Sequence, residues 1–179
     1  MYYKKIEGER VYLSPMNVED ALKYVKWMND FKVTDGINQS RNVVTLESER
    51  KWIEENSKTG NYNFAIVKKD NDELIGNCSF HDLDKIWGNA TVGIFIGDEE
   101  NRNKGYGSEA LKLLISYGFD YLNLNNIMLC VYSFNENAIN CYKKVGFKEF
   151  GRRRNCVMIK NERYDIIYMD IIRDEYYKE

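Results

Sequence analysis

One segment constrains this sequence more than any other: Arg102-Asn103-Lys104-Gly105-Tyr106-Gly107-Ser108. It follows the apolar run Ala90–Gly97 and precedes a long amphipathic stretch, so it is predicted to be a turn between a strand and a helix. The first backbone N–H groups of a helix have no intrahelical partner, and the helix dipole adds partial positive charge at that end. Gly105 and Gly107 carry no Cβ and let an anion approach the main chain. The segment therefore predicts a site for a diphosphate.

Composition narrows the class of protein. The 179 residues are predicted to form one domain, 1–179, because 44% of them are hydrophobic and only one is proline. The formal net charge of −2 gives no overall field that favours nucleic acid or an anionic membrane. The four cysteines are scattered, which argues against a metal site and against a disulfide framework. With neither a signal peptide nor a membrane-spanning run, we expect a cytoplasmic protein with reduced thiols.

The coarse order of elements is a strand, two helices, three strands, a helix, a strand, a helix and two strands, which predicts a mixed α/β sheet. Asn17 and Thr45 are predicted to cap the first two helices. The apolar positions that recur at helical spacing are Val18, Ala21, Leu22, Val25 and Met28 in the first helix, and those predicted to face inward in the second are Leu46, Trp52 and Ile53. Ile127–Tyr132 is nearly all apolar, as in a strand covered on both faces. The remaining predicted elements are strands at Val11–Ser14, Asn63–Lys69, Leu74–Phe80, Asn89–Gly97, Glu149–Ile159 and Arg163–Ile172, and helices from Gly107 and over Glu136–Val145.

The glycine turn by itself has more than one interpretation. Gly105 to Ala110 fits G-x-G-x-x-G/A, the dinucleotide fingerprint, which also requires an acidic residue at the end of the next strand. Here that strand ends in Val131-Tyr132-Ser133-Phe134-Asn135, with only Glu136 nearby. Too little sequence remains after the turn for the rest of a nucleotide fold, so a dinucleotide site is disfavoured. A turn in which the glycines have no ligand is the other alternative.

A second motif favours a different cofactor. Asn135-Glu136-Asn137-Ala138-Ile139-Asn140-Cys141-Tyr142-Lys143-Lys144-Val145-Gly146-Phe147 resembles the N-x-x-A-x-x-x-Y-x-x-x-G-F signature of the GNAT acyl-CoA N-acyltransferases. Arg102-x-x-Gly105-x-Gly107 resembles that superfamily's Q/R-x-x-G-x-G/A pyrophosphate loop, one helix and one strand earlier. The opening Gly8–Pro15 and the closing Asn161–Ile172 are similar to the branch that holds ribosomal-protein-alanine and spermidine acetyltransferases.

The resemblance implies a fold, a reaction and a set of binding residues. The fold is a mixed sheet of about six to seven strands and four helices, splayed between the strand ending at Gly97 and the strand beginning at Ile127. The reaction is transfer of an acetyl group from acetyl-CoA to an amine, without a metal. The implied cofactor-binding residues are Phe95, Ile96 and Gly97 for the pantetheine arm, Arg102, Asn103, Lys104, Gly105, Tyr106, Gly107 and Ser108 for the pyrophosphate, and Asn135, Ala138 and Tyr142 on the later motif.

Tyr142 is the predicted catalytic residue. In the family, the tyrosine at this position points its hydroxyl at the thioester sulfur, and a phenol with a pKa of about 10 can protonate the departing thiolate. Tyr142 lies seven residues after Asn135, which is two helical turns, so both side chains occupy one helix face. A plain core aromatic is the alternative. Asn135, for its part, has two predicted roles, a contact with pantetheine or a helix cap.

The base and the acceptor remain open. A lysine-like amine with a pKa of about 10.4 needs a base or a desolvating pocket at neutral pH, whereas an α-amino group near 7.8 needs only water. The candidates for a base are His81, Asp82 and Glu109. Asp30 and Asp35 of the Asn29–Asn42 loop and the acids of the second helix favour a cationic amine, and the Arg152-Arg153-Arg154 cluster opposes that inference. The acids of the second helix are Glu47, Glu49, Glu54 and Glu55. A protein N-terminus, a polyamine and an amino sugar are the acceptors considered. A silent acyl-CoA sensor is the rival function, and the last strand allows a homodimer.

Overall fold

The computed structural model describes residues 1–58 and 61–178. The strands are β1 (Ile6–Glu7), β2 (Val11–Pro15), β3 (Tyr62–Lys68), β4 (Leu74–Asp84), β5 (Asn89–Ile96), β6 (Asn126–Tyr132), β7 (Lys148–Ile159) and β8 (Glu162–Ile172). The helices are α1 (Ala21–Met28), α2 (Phe31–Thr34), α3 (Leu46–Asn56), α4 (Tyr106–Tyr121), α5 (Glu136–Val145) and α6 (Arg173–Tyr176). None of the helices in the described residues combines the length and the apolar character needed to cross a membrane.

The strands form one mixed sheet in the order β1-β2-β3-β4-β5-β6-β8-β7. The pairings from β1 to β4 are antiparallel, as are those of β6 with β8 and of β8 with β7. The pairing of β5 with β6 is parallel. The predicted α/β class is therefore confirmed. The sheet has more strands than the six or seven predicted, and the additional pairing at its start is made by β1, which has only two residues. In the part of the chain that the structure describes, four helices have eight residues or more, which agrees with the four predicted.

The chain divides into two compact units by its internal contacts. The first unit contains Met1–Phe80 and Ile94–Leu114, and the second contains His81–Gly93 and Ile115–Glu179. Strands β4 and β5 and helix α4 contribute residues to both units.

The first unit has an aromatic core under α1. Tyr24 and Trp27 are both 1% exposed, and their rings meet edge to face with centroids 5.4 Å apart. The ring of Phe95 in β5 packs against both, with its centroid 6.4 Å from that of Tyr24 and 5.8 Å from that of Trp27. The predicted inward position of Leu22 is wrong, since that side chain is 67% exposed. Leu22 and Tyr24 recur on different faces of α1, and the face with the two large rings buries more apolar surface.

Helix α3 shows a second error of the same kind. Thr45 caps it as predicted, because the Thr45 hydroxyl accepts from the Ser48 N–H and the Ser48 hydroxyl accepts from the Thr45 N–H. Trp52, however, is 40% exposed, and the buried positions are Ile53 and Glu49. Burial raises the pKa of the Glu49 carboxyl. A charged side chain on a predicted solvated face has thus replaced the expected tryptophan.

The second unit is built on β6, β8 and α5. Ile127, Leu129, Met169 and Ile171 are buried where β6 and β8 pair. Cys130 is exposed, so the prediction that β6 is covered on both faces is wrong at that residue. The closing hairpin turns at Lys160-Asn161, where φ values of 50° and 69° give the two left-handed residues that a tight hairpin favours.

Candidate functional site

The predicted diphosphate loop lies in the first unit and joins β5 to α4. Asn103 and Gly105 adopt left-handed φ values of 58° and 84°, and α4 begins at the next residue, Tyr106. Arg102, before this pair, is extended (φ −79°, ψ 161°), so the chain turns at Asn103 and Gly105 and enters α4 with the first N–H groups of the helix facing the turn, which is the kind of helix start that binds anions. Gly105 is therefore required by the backbone. Gly107 is not, because its φ is ordinary and an added Cβ would meet only Ile96 Cγ1, at 3.7 Å.

Arg102 braces the loop. Its Nε and Nη2 donate to the carbonyl oxygens of Ile96 and Gly97 at 3.1 and 2.6 Å. Its Nη1 reaches the carbonyl oxygen of Lys32 at 3.3 Å. The guanidinium thus ties the loop to the end of β5 rather than projecting into solvent. Lys104, two residues later, is exposed.

The end of β5 is fixed from its other side by α1 and β4. The Gly97 N–H donates to the carbonyl oxygen of Ile75 at 2.9 Å. A Cβ at Gly97 would come within 2.0 to 2.4 Å of the Trp27 indole. A Cβ at Gly76 of β4 would come within 2.1 Å of the Phe95 carbonyl oxygen. Glycine at 76 and 97 therefore permits the close approach of elements that sets the main chain of the predicted pantetheine strand.

Asp98 adds an electrostatic anchor directly after this strand. Its Oδ1 accepts from Trp27 Nε1 at 3.0 Å and from Lys26 Nζ at 3.2 Å, and its Oδ2 lies 3.4 Å from Lys23 Nζ. Burial works against the charged form, but these donors and the two ammonium groups outweigh it and lower the pKa of Asp98. Sequence reasoning missed this residue, because its partners lie 71 and 72 positions away.

The parallel pairing of β5 with β6 is made by the first residues of β5, which lie in the second unit. In the described residues, the ladder between β5 and β6 runs from Asn89↔Asn126 to Thr91↔Met128. Strand β5 continues to Ile96 and β6 continues to Tyr132. The β5 main chain beyond Thr91 thus includes Phe95 and Ile96, which were predicted to pair with pantetheine.

Among the candidate bases, Glu109 is already committed to structural contacts. Its Oε1 accepts from the N–H groups of Arg10 and Val11 at 2.7 and 3.1 Å, and its Oε2 accepts from Arg10 Nε at 2.9 Å. Burial opposes the charge, but the two main-chain donors and the guanidinium prevail and lower the pKa of Glu109. A carboxylate held this way is a poor proton acceptor. His81 was predicted to follow the end of a strand. It lies inside β4 instead, because that strand extends to Asp84.

The second motif forms α5 in the second unit. Asn135 is its N-cap, with Oδ1 accepting from the Ala138 N–H at 3.2 Å, and Gly146 ends it at a φ of 113°. The Tyr142 ring packs against Phe147 with centroids 6.1 Å apart. Tyr142 is partly exposed as a whole residue, yet the burial of its hydroxyl raises its pKa well above the usual range, with smaller contributions from Cys141 and Cys130.

The predicted acceptor-side charges have mixed surroundings. Asp30 caps α2 through the Lys32 N–H, and Asp35 accepts from the Ser40 hydroxyl. In the second unit, Arg152 forms ion pairs with Glu149 and Asp165 at 3.1 and 3.3 Å. Each of these groups therefore has a structural partner within its own unit.

The sequence is similar to a known protein family and to several bacterial proteins. Residues 10–148 match the family described as the acetyltransferase (GNAT) domain. The uncharacterized N-acetyltransferase p20 of Bacillus licheniformis is 32% identical over 177 residues, which cover 94% of this chain and 96% of that protein. The putative ribosomal N-acetyltransferase YdaF of Bacillus subtilis (strain 168) is 30% identical over 103 residues, which cover 58% of this chain and 56% of that protein.

A solved structure with the same fold is the spermidine N-acetyltransferase from Vibrio cholerae in complex with CoA and spermine. It superimposes with a TM-score of 0.85 at 20% identity and covers 95% of this chain and 99% of its own. That likeness establishes the fold, while the sequence matches cover the glycine loop and the α5 motif. This chain belongs to the GNAT acetyltransferase family.

Proposed function

We propose that this acetyl-CoA-dependent N-acetyltransferase binds the cofactor diphosphate on the loop Arg102–Ser108 and uses Tyr142 as the acid that protonates the departing CoA thiolate. The observation that carries the proposal is the pair of left-handed residues at Asn103 and Gly105 directly before the N-terminus of α4. The N–H groups from Asn103 to Ser108 are the proposed diphosphate donors. The partial positive charge at the start of α4 supports an anion at this position.

The proposed role of Arg102 is indirect. Because its guanidinium holds the carbonyl oxygens of Ile96 and Gly97, it fixes the loop against the strand proposed to pair with pantetheine. Each carbonyl has a second lone pair, so these contacts leave Ile96 and Gly97 able to accept from the cofactor. For Phe95 the proposed contact is through the main chain alone, because its ring packs against Trp27.

On the later motif, Asn135 and Ala138 have structural and proposed functional roles together. The Asn135 Oδ1 caps α5 through the Ala138 N–H, so the Nδ2 group is the part proposed to donate to the cofactor. Tyr142 can donate a proton because a tyrosine hydroxyl, with an ordinary pKa of about 10, is protonated at neutral pH, and burial raises its pKa further, so it stays protonated there. The proton passes to the sulfur as the C–S bond breaks and the amine nitrogen forms the new C–N bond.

The proposed acceptor is a primary amine that attacks acetyl-CoA directly in a ternary complex. A solved protein of this fold is named a spermidine N-acetyltransferase, and spermidine carries primary amino groups. A sequence relative is named a putative ribosomal N-acetyltransferase. A primary amine must lose a proton during attack, and an α-amino group needs less help from a base than a polyamine does. Because Glu109 is held by Arg10 and Val11, we do not place the base there.

The test is release of CoA thiol from acetyl-CoA by wild type, Tyr142→Phe and Tyr121→Phe, with spermidine, an amino sugar and peptides carrying N-terminal Ala or Ser as acceptors. Tyr121 is 78% exposed on α4, so its variant controls for the loss of a hydroxyl elsewhere. Loss of a general acid lowers kcat by about 10²- to 10⁴-fold. We expect that loss in Tyr142→Phe with the acetyl-CoA Kd within about threefold. Unchanged turnover would contradict the acid role.

Three further proposals concern the domain organisation, the oligomeric state and the cellular location. Residues 1–179 are proposed to act as one acetyltransferase domain, with support from elements β4, β5 and α4 that run through both compact units. The last strand of the chain, β8, was expected to pair with a second subunit, but it is paired on both sides, with β6 and with β7. The homodimer is therefore proposed through β7, which ends the sheet order and carries Phe150 at 58% and Met158 at 52% exposure. A cytoplasmic location is proposed because the four cysteines are scattered along the sequence with no spacing typical of a disulfide framework, which fits reduced thiols.

A further inference from the structure

We propose that Arg10 is a positioning residue for acetyl-CoA: it orients the main chain of the diphosphate loop and neutralises Glu109 beside it. The proposal rests on the assignment of Arg102–Ser108 as the diphosphate loop. Arg10 lies just before β2, 94 positions from Lys104 and 99 from Glu109.

The side chain of Arg10 lies against three successive loop residues, Lys104 to Tyr106, and also reaches Glu109 in the first turn of α4. Its Nη1 donates to the Lys104 carbonyl oxygen at 2.9 Å, and its Nη2 lies 3.0 Å from where a Cβ of Gly105 would stand. Its guanidinium carbon lies 5.2 Å from the centre of the Tyr106 ring, and its Nε donates to Glu109 Oε2 at 2.9 Å. One guanidinium thus spans the loop and the first turn of α4.

The contact with Lys104 fixes the direction of the next N–H group. In a trans peptide, the carbonyl of one residue and the N–H of the following residue point in opposite directions. Since the Lys104 carbonyl points at Arg10, the Gly105 N–H points away from Arg10. Arg10 therefore occupies one side of this peptide and leaves the donor on the other side, where a diphosphate would lie.

The contact with Glu109 has an electrostatic consequence. A carboxylate in the first turn of α4 would repel a diphosphate at the same helix end. The Glu109 side chain is only 16% exposed, and its charge is compensated by Arg10 and by two main-chain N–H groups. Because Arg10 neutralises the Glu109 carboxylate, the positive end of the α4 dipole and the loop N–H groups can attract the diphosphate without repulsion from Glu109.

Arg10 is itself held by the sheet. Its carbonyl oxygen accepts from the Lys69 N–H at 2.9 Å, and the next residue, Val11, pairs with Lys68 in the β2–β3 ladder. The planar fork of arginine makes several contacts in fixed geometry, whereas a lysine ammonium is a single point charge. Lysine at this position would keep the charge but could not span Lys104 and Glu109 in the same way.

The test compares Arg10→Gln, Arg10→Lys and Arg10→Gln/Glu109→Gln with wild type. Measured are kcat and KM for acetyl-CoA and the CoA Kd by titration calorimetry. We expect Arg10→Gln to raise the CoA Kd and the acetyl-CoA KM about tenfold, with kcat within about twofold at saturation. Arg10→Lys should fall in between. Removing the Glu109 charge as well should recover part of the affinity, because the unpaired carboxylate is then gone.

Lys69→Gln is the matched control. Lys69 is a neighbouring cation paired with Glu7 at 3.3 Å, so its variant has the same change in charge. It should leave the CoA Kd within about twofold. A merely structural role for Arg10 would instead lower the melting temperature and kcat, with KM unchanged.

Two results would overturn the inference: an unchanged CoA Kd in Arg10→Gln, or a loss confined to kcat. If Arg10→Gln does not fold, Arg10→Lys and Glu109→Gln carry the same comparison. Wild type that fails to bind CoA would contradict the proposed loop itself, whereas normal wild-type binding with an unaffected variant would contradict only the role of Arg10.

Discussion

Gly97 lies flat against the indole of Trp27, so closely that a Cβ on Gly97 would stand 2.0 Å from Cε2 of the ring. Real Cβ atoms do not approach other atoms at that distance, and Trp27 is 1% exposed within the aromatic core of the first unit. The ring therefore has nowhere to move. The strand end that is proposed to hold pantetheine can therefore lie this close to Trp27 only because residue 97 is glycine.

Gly97→Ala is expected to destabilise the protein by about 2 kcal/mol or more, because overpacking a core displaces ring and backbone together. The measurement is the free energy of unfolding in urea. Gly107→Ala is the control, since its Cβ would make only an ordinary contact with Ile96, at 3.7 Å. It should be neutral or stabilise by up to about 1 kcal/mol. Equal stability of the two variants would contradict the proposed fit.

Alanine variants of Gly105 and Gly107 are expected to differ in their affinity for CoA. Gly105→Ala places a side chain at a φ of 84°, which costs about 1–2 kcal/mol for a residue other than glycine. We expect the CoA Kd to rise about tenfold in that variant, because the loop then favours other conformations. Gly107→Ala should bind within about threefold of wild type. The reverse order of affinities would show that ligand space, and not backbone conformation, selects glycine here.

The lowered pKa of Asp98 leads us to expect that the free energy of unfolding depends on pH. The pKa of Asp98 is lowered in the folded state, so its contribution is fully present above the unfolded pKa of about 3.9 and is lost as pH falls through the folded pKa. Asp98→Asn should therefore be less stable than wild type at pH 7, with a difference that shrinks as pH falls below about 4. Urea unfolding at several pH values measures this. Asp174→Asn, which changes an exposed carboxylate of α6, should show little difference.

The protonation state of Tyr142 determines what we expect of the rate at alkaline pH. Because burial raises the pKa of the Tyr142 hydroxyl, the acid stays protonated well beyond its usual range. With a polyamine acceptor, kcat/KM should rise with pH as the amine loses its proton, and no descending limb should appear below about pH 10. A descending limb near pH 9 in wild type that is absent from Tyr142→Phe would contradict this protonation state.

Local signals in the sequence were sufficient for α5. Asn135 caps it, Glu136–Val145 is helical, and Gly146 ends it in the left-handed region, all as predicted. Caps and glycine stops depend on groups a few residues apart, which a linear pattern contains. The turn at Asp70-Asn71-Asp72 between β3 and β4, where Asp72 has a φ of 54°, depends on the same kind of local signal.

Side-chain direction was harder to predict. Leu22 and Trp52 are exposed although apolar periodicity placed them inward. Periodicity ranks faces by hydrophobic content, but α1 offers two such faces and the choice depends on what the sheet presents to it. Tyr24 and Trp27 meet Phe95 there, a contact across about seventy positions of sequence.

The sequence by itself determined the family, the glycine loop before α4 and the Asn135–Tyr142 pair on one helix face, because each is a short motif whose chemistry lies in adjacent residues. Only the tertiary structure decided that Arg102 serves main-chain carbonyls, that Trp27 excludes a side chain at position 97, and that Arg10 and Glu109 pair across 99 positions. These contacts join different elements of the first unit. Their partners are chosen by the packing of strands and helices, which no local spacing encodes.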